Sequence, residues 1–209
     1  MARNIGPNCR LCRREGIKLF LKAERCYSSK CSLVKRETVP GQLKLMRSKL
    51  TEYGLRLRAK QKLKRYYGLM EAQFRRFFEV ASRQRAIPTG EKLVELLERR
   101  LDNVLYRLGF AGSRALARQL IVHGHIYVDG RKVYSPSYIT KVGQEIKLTS
   151  AITKSSQIEE AIEVLSSKNA PDWLEYLSDG VGGRVIGIPK RNMVELPINE
   201  QLVVEFYSR

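Results

Sequence analysis

Cysteine occurs at four positions, Cys9, Cys12, Cys26 and Cys31, and nowhere after residue 31. The spacing is Cys-x2-Cys, a thirteen-residue link, then Cys-x4-Cys. Two close pairs joined by a short link can fold four thiolates around one tetrahedral ion. Residues 1–43 show little hydrophobic periodicity and close at Pro40-Gly41. An ion is therefore expected to stand in for a missing core there. Four thiolates favour zinc, with an iron–sulfur cluster as the alternative. A tetrathiolate zinc has no open coordination position, so the expected role is a structural clip.

The charge balance points to the partner. Lys and Arg number 39 against 21 acidic residues, a net charge of +18. The balance is +17 over residues 1–100 and −3 over residues 151–209. So positive a surface repels itself unless a polyanion covers it, and RNA is the expected polyanion. No apolar run of eighteen residues is present, which excludes a membrane-spanning helix, and nothing points to a small-molecule substrate. The start, with Arg3 and no apolar stretch before Cys9, is unlike a secretory leader. A reducing cytoplasm is expected, where clustered cysteines bind metal more often than they pair.

The fold class expected is α+β in four parts. Residues 1–43 form a metal-bound basic N-terminal segment and 44–98 a helical RNA-binding region. Residues 99–165 form a small αα-hairpin with an antiparallel β-sheet, and 166–209 a C-terminal extension with a terminal strand. Thr51 caps a basic helix from Glu52 to about Tyr67, and Phe74, Phe77 and Phe78 mark a second from Glu71 to about Arg85. From Lys92, leucines at helical spacing run unbroken to Leu108 and stop at Gly109. Ser113 caps a helix ending at Gly124. Ile126–Val128 and Lys132–Tyr134 flank an Asp129-Gly130 turn, and Glu145–Leu148 is a further strand. Ser156 and Glu159 suggest a capping box for a helix to about Ser166. Leu202-Val203-Val204-Glu205-Phe206 reads as the closing strand.

Candidate phosphate contacts follow the charge. Arg3, Arg10, Arg13, Arg14 and Lys18 lie around the first cysteines, and some of them can simply balance the thiolates. Arg47 and Lys49 lie in the loop after Gln42. The basic helix carries Arg56, Arg58, Lys60, Lys62, Lys64 and Arg65 with one acid. A charge run is usually a solvated face; here almost no acid stands at i+4 to neutralise it, which favours RNA. The αα-hairpin adds Arg100, Arg107, Arg114, Arg118 and His123, and His125 follows it. Neither histidine has ligand-type neighbours at metal spacing, so each can equally be a satisfied loop histidine. The expected mechanism is phosphate neutralisation with shape recognition of folded RNA.

The stretch from Arg100-Leu101-Asp102-Asn103 to Gly109-Phe110, then Ser113-Arg114-x-x-Ala117-Arg118-Gln119-Leu120-Ile121-x-His123-Gly124-His125-Ile126 and Val128-Asp129-Gly130, resembles the RNA-binding domain of the small-subunit ribosomal protein S-four family. The resemblance extends to Met1-Ala2-Arg3, Gly6-Pro7, Arg13-Arg14-Glu15-Gly16, Pro40-Gly41-Gln42, Tyr53-Gly54-Leu55 through Lys62, and Asn199 to Arg209, and so covers essentially the whole chain. The four cysteines are similar to the family's zinc-binding form. The resemblance implies early binding to small-subunit ribosomal RNA during assembly, in the cytoplasm. It implies proteins S-three and S-five as neighbours, and messenger RNA where it enters the subunit. It also implies that Glu200 and Tyr207, in the acidic end, face S-five in a contact that bears on decoding accuracy. The bland alternative is that a terminal strand completes the fold of residues 99–148. After Gln42 the chain departs from the family's His-Gly, keeping charge at Lys44, Arg47 and Lys49.

Two other classes compete. Arg100-Leu101-Asp102 echoes a pseudouridine synthase motif, but the Thr and Gly that follow it there are absent and no separate catalytic domain is left. Asp102 is then a helix-surface or capping group. A zinc-dependent DNA-binding regulator would need a helix-turn-helix or finger histidines, which the sequence lacks. The expectation is a non-enzyme.

Overall fold

The structure, a computed structural model, describes residues 4–41, 51–153, 155, 158, 170–178, 181–194 and 198–208. Arg3, Arg47, Lys49 and the expected capping box of Ser156 and Glu159 lie outside these residues. In chain order the elements are α1 (Asn8–Glu15), a 3-10 turn (Ala23–Cys26), α2 (Ser32–Lys35), α3 (Glu52–Tyr66), α4 (Glu71–Ser82), α5 (Thr89–Glu98), α6 (Leu101–Arg107), α7 (Arg114–Val122), β1 (Ile126–Val128), β2 (Arg131–Lys132), β3 (Glu145–Leu148), α8 (Ser150–Thr153), β4 (Leu174–Tyr176), β5 (Gly182–Val185), a 3-10 turn (Arg191–Met193) and α9 (Glu200–Tyr207). They form two compact units, Met1–Val94 with Leu196–Arg209, and Glu95–Glu195. None of the described helices is long and apolar enough to cross a membrane.

The first unit is helical. Thr51 Oγ1 accepts from the Gly54 N–H at 3.1 Å and so starts α3. Ala59, Leu63 and Tyr66 form the buried stripe of α3, and Phe74 and Ala81 that of α4. The end of the chain corrects the sequence reading, because residues 200–207 are a helix and not a strand. Asn199 supplies a cap, its side chain accepting from Gln201 N–H at 2.9 Å. Val203 is buried while Gln201 and Glu205 are exposed, a helical alternation that the β-branched pair obscures. This helix packs along α3, with Phe206 beside Tyr53 at 5.7 Å and Tyr207 stacked on Phe78 at 4.5 Å.

The second unit packs α6 and α7 against an antiparallel sheet of order β2-β1-β3-β5-β4. Leu101, Leu105, Leu108, Phe110, Ile121, Ile126, Ile146 and Trp173 fill its core. Asp129 and Gly130, both at positive φ (49° and 76°), make the tight turn between β1 and β2. The sheet runs past residue 165, since β4 and β5 belong to it. The expected unbroken helix from Lys92 to Leu108 is two helices. Arg100 is extended (φ −67°, ψ 136°) and bridges Ile139, and Leu101 N–H bonds the Tyr138 carbonyl oxygen at 2.8 Å. Leucine spacing survives such a break because Leu93 and Leu97 of α5 and Leu101 and Leu105 of α6 are all buried.

Candidate nucleic-acid interface

The four cysteines are brought together around one small pocket, with Lys22 and Arg25 at its rim. Cys9 and Cys12 come from α1, which ends at Gly16, a residue at φ 70° whose N–H bonds the Cys12 carbonyl oxygen. Cys26 closes the 3-10 turn and Cys31 precedes α2. All four are free thiols, and all but Cys9 are buried. The Lys22 N–H approaches Cys26 Sγ at 3.3 Å. Burial pushes the Cys12 thiol up, a backbone hydrogen bond from Leu19 pulls it down, and charge on Cys26, Cys9 and Cys31 adds to the rise. A backbone N–H aimed at sulfur, as at Cys26, suits a thiolate ligand. Among the described residues, however, no group of three or more His, Cys, Asp or Glu is arranged to hold a metal ion as placed.

The basic helix α3 differs from its sequence reading in one respect: acids from elsewhere in the chain meet most of its cations. Arg56 pairs with Glu205 of α9 at 2.6 Å and with Glu52 at 3.1 Å. Arg58 and Arg65, two turns apart, both donate to Glu15 Oε1, the first at 3.1 Å. The Glu15 side chain is fully buried, and its Oε2 has no hydrogen-bond partner. Burial pulls the Arg65 guanidinium below its ordinary value; Glu15 opposes this, and Arg58 and Arg14 reinforce it. Lys60 and Lys64 reach the two oxygens of Glu71 at 2.6 and 2.7 Å. The Tyr207 hydroxyl donates to the same carboxylate at 2.9 Å. Burial alone would raise Glu71; bonds from Lys60, Lys64 and Tyr207 outweigh it and hold the carboxyl at about 2. An i+4 scan of α3 could not find Glu15 or Glu205, which lie far away in sequence, nor Glu71, which stands just past the helix at the start of α4.

The hairpin of the second unit repeats this theme at short range. Arg100 is fully buried and forks onto Asp102 at 3.1 and 2.9 Å, and Arg118 reaches Asp102 Oδ2 at 2.7 Å. Asp102 is thus a buried anchor, not the surface or capping group the sequence suggested. Arg107 forks onto the buried Glu98 at 2.9 and 2.8 Å, and Asn103 donates to Glu98 Oε2 at 2.7 Å. Arg114 donates to Asn103 Oδ1 at 2.8 Å and lies over the Tyr106 ring at 4.3 Å. Arg107 and Arg118 keep partial exposure, whereas Arg100 and Arg114 face inward. His123 is exposed, and half-buried His125 lies 3.5 Å from Thr149 Oγ1.

The cations left without a carboxylate are mostly others. Arg10, Arg14, Lys18 and Lys62, with Arg76, Arg83 and Arg85, have no carboxylate partner among the described residues. Arg13 is spent on Thr38, its Nε donating to the carbonyl oxygen at 3.0 Å. Tyr207 and Glu200, expected to face a protein partner, are half-buried in their own unit: Tyr207 stacks on Phe78, and Glu200 lies against Gly90.

A helical basic unit followed by an αα-hairpin on a small antiparallel sheet defines an RNA-binding protein of the S-four-domain class. Two family models match in succession, "Ribosomal protein S4/S9 N-terminal domain" over residues 3–98 and "S4 domain" over residues 99–146. Curated relatives match over all 209 residues and the full length of both chains. The "Small ribosomal subunit protein uS4" of Dictyoglomus thermophilum is 54% identical and that of Thermoanaerobacter sp. 53%. The "Small ribosomal subunit protein uS4A" of Symbiobacterium thermophilum is 51% identical. The chain belongs to the uS4 family.

Proposed function

We propose that this chain is a structural constituent of the small ribosomal subunit in the cytoplasm, holding ribosomal RNA with its basic surface and performing no catalysis. Full-length identity above half to proteins of that name carries the reading. The physical mechanism is phosphate neutralisation by side chains fixed in advance. Buried acids orient Arg58, Arg65, Arg107 and Arg118, while Arg10, Arg14, Lys18 and Lys62 stay available. Holding a cation in place beforehand lowers the ordering cost when RNA arrives. Asp102 is 1% exposed and engaged by two arginines, so it is badly placed to act as a nucleophile, which speaks against the synthase alternative.

The finer reading is that the protein binds early in assembly and contributes to decoding accuracy. Its neighbours are proteins S-five and S-three and the messenger RNA where it enters the subunit. Cys9, Cys12, Cys26 and Cys31 would hold one zinc, which supplies a cross-link and no reaction chemistry. Their convergence on one pocket supports this. Binding to a small-subunit ribosomal RNA fragment should weaken about a thousandfold between low and moderate salt if roughly six to ten phosphates are neutralised. A salt-insensitive affinity would overturn the mechanism. Anaerobically purified protein should contain about one zinc per chain. Cys26→Ser should expose residues 4–41 to protease and leave residues 99–148 protected. A metal-free protein equally resistant over residues 4–41 would remove zinc from the reading.

A further inference from the structure

Tyr134 follows β2 and is 60% exposed, a large aromatic ring open to solvent. One edge of it is held. A Cβ added to Gly124 would stand 2.7 Å from Tyr134 Cε1 and 3.4 Å from both Cζ and the hydroxyl oxygen, so the hydroxyl-bearing edge of the ring lies against the bare glycine. Gly124 is at φ +75°, a conformation that side chains avoid, so the position doubly favours glycine. The histidines on either side of that glycine have their rings 6.2 Å apart, His123 exposed and His125 beside Thr149. Arg131 and Lys132, both exposed, lie just before Tyr134 on β2. The acid of this turn, Asp129, is taken up by Gln144 and the Glu145 N–H.

Scattered surface tyrosines are ordinary and need no explanation. This ring differs in being held at one edge on a glycine, with two cations before it and imidazoles flanking its seat. An exposed aromatic ring fixed at one edge, with cations beside it in the chain, is the chemistry that holds an unstacked base, because every base offers a π-face and its own phosphates offer charge. We propose that Tyr134 is a stacking platform for an unpaired nucleobase of RNA, with Arg131 and Lys132 on the phosphates beside it. The inference rests on the RNA-binding reading above and adds a base contact to a surface otherwise explained by phosphates. A protein partner is the competing occupant. The cations favour RNA.

The test is the affinity of the full-length protein for a small-subunit ribosomal RNA fragment, measured across a salt series. Tyr134→Ala should bind roughly tenfold more weakly or worse with an unchanged salt slope, and Tyr134→Phe should bind like the parent. The double variant Arg131→Ala, Lys132→Ala should instead flatten the slope. The same RNA carrying 4-thiouridine should crosslink to Tyr134 on irradiation, a result that needs no variant to fold. Parent-like binding by Tyr134→Ala, equal losses in the Ala and Phe variants, or no crosslink at Tyr134 would each overturn the platform. If the parent protein itself fails to bind the fragment, it is the proposed function that falls.

Discussion

The hairpin of the second unit and the helix α3 of the first hold their arginines differently. In the second unit the arginine–carboxylate pairs of the hairpin join residues at most sixteen apart: Arg100 and Arg118 to Asp102, Arg107 to Glu98. They sit beside a continuous apolar core that includes Trp173 and Ile146. In the first unit the pairs span 43 and 50 residues from Arg58 and Arg65 to Glu15, and 149 from Arg56 to Glu205. The apolar core under residues 4–41 is thin, with Leu19 and three cysteines buried. The ion pairs of this hairpin are thus set by local sequence, although the sheet of the unit joins β3 to the distant β5. The first unit adds, to the short-range pairs of Lys60 and Lys64 with Glu71, ionic clasps that form only when distant segments have already met, and the ordering cost of each such clasp grows with the loop it closes. The comparison teaches that the same residue chemistry, an arginine on a buried carboxylate, can finish a fold in one place and assemble it in another.

The largest effect should come from the second unit's core. Leu105 is fully buried, and Leu105→Ala should cost about 2–5 kcal/mol. The chain has one tryptophan, Trp173, and it belongs to that core, so its fluorescence reports this unit's unfolding. A shift in that signal with hydrogen exchange of α3 unchanged would support separate cores, whereas equal loosening of α3 would break the comparison.

Glu15→Ala probes the clasp. It leaves Arg58 and Arg65, each less than a quarter exposed, without their shared carboxylate. Removing one partner of such a group costs about 3 kcal/mol. Exchange should rise in α1 and α3 together, with the Trp173 transition unmoved. Exchange confined to α1 would show that Glu15 does not join the two. A smaller effect belongs to Thr51→Ala, which removes the cap on Gly54 and should cost about 1 kcal/mol. It should be visible as faster exchange in the first turn of α3.

Local rules explain what the sequence disclosed. Thr51, Ser113 and the Asp129-Gly130 turn stood where caps and turns require them, and α3 and β3 lie within a residue of their expected ends. The break at Arg100 was hidden because the leucines on both sides are buried at helical spacing, and a backbone bridge to Ile139 cannot be read from spacing. Helix α9 was hidden because Val203-Val204 favours a strand, and its contact with α3, far away in sequence, decides otherwise. For the site, sequence found the cations but not their acids. Glu15, Glu71, Glu98 and Asp102 are unremarkable in composition, and only the fold brings them to the arginines and lysines. An expected contact such as Arg100 therefore turned inward, while Arg76, Arg83 and Arg85, not singled out from the sequence, remain exposed.

The smallest effect is also the one most specific to the first unit's long-range closure. Glu71 gathers Lys60, Lys64 and Tyr207, so one carboxylate ties α4 to both α3 and α9. Its pKa falls from an ordinary 4.5 to about 2, because those three hydrogen bonds outweigh the burial that would raise it. A carboxylate depressed in the fold contributes stability that is complete above the ordinary value and is lost as pH falls through the folded one. The window is therefore about pH 4.5 down to about 2. Glu71 is nearly half exposed, so solvent screening should hold its share to under about 1 kcal/mol. Tyr207 reports the other side of the bond: burial and the Glu71 carboxylate both push its hydroxyl up, keeping it a donor through neutral pH. Exchange measured over residues 200–208 should accelerate as pH is lowered through that window, after correction for the intrinsic pH dependence of exchange. Glu71→Gln should begin loosened and lose that part of the pH response. If the variant and parent respond identically to acid while the Trp173 transition stays put, then α9 is held by Val203, Phe206 and the Phe78–Tyr207 stack, and the first unit is less dependent on its ionic clasps than its geometry indicates.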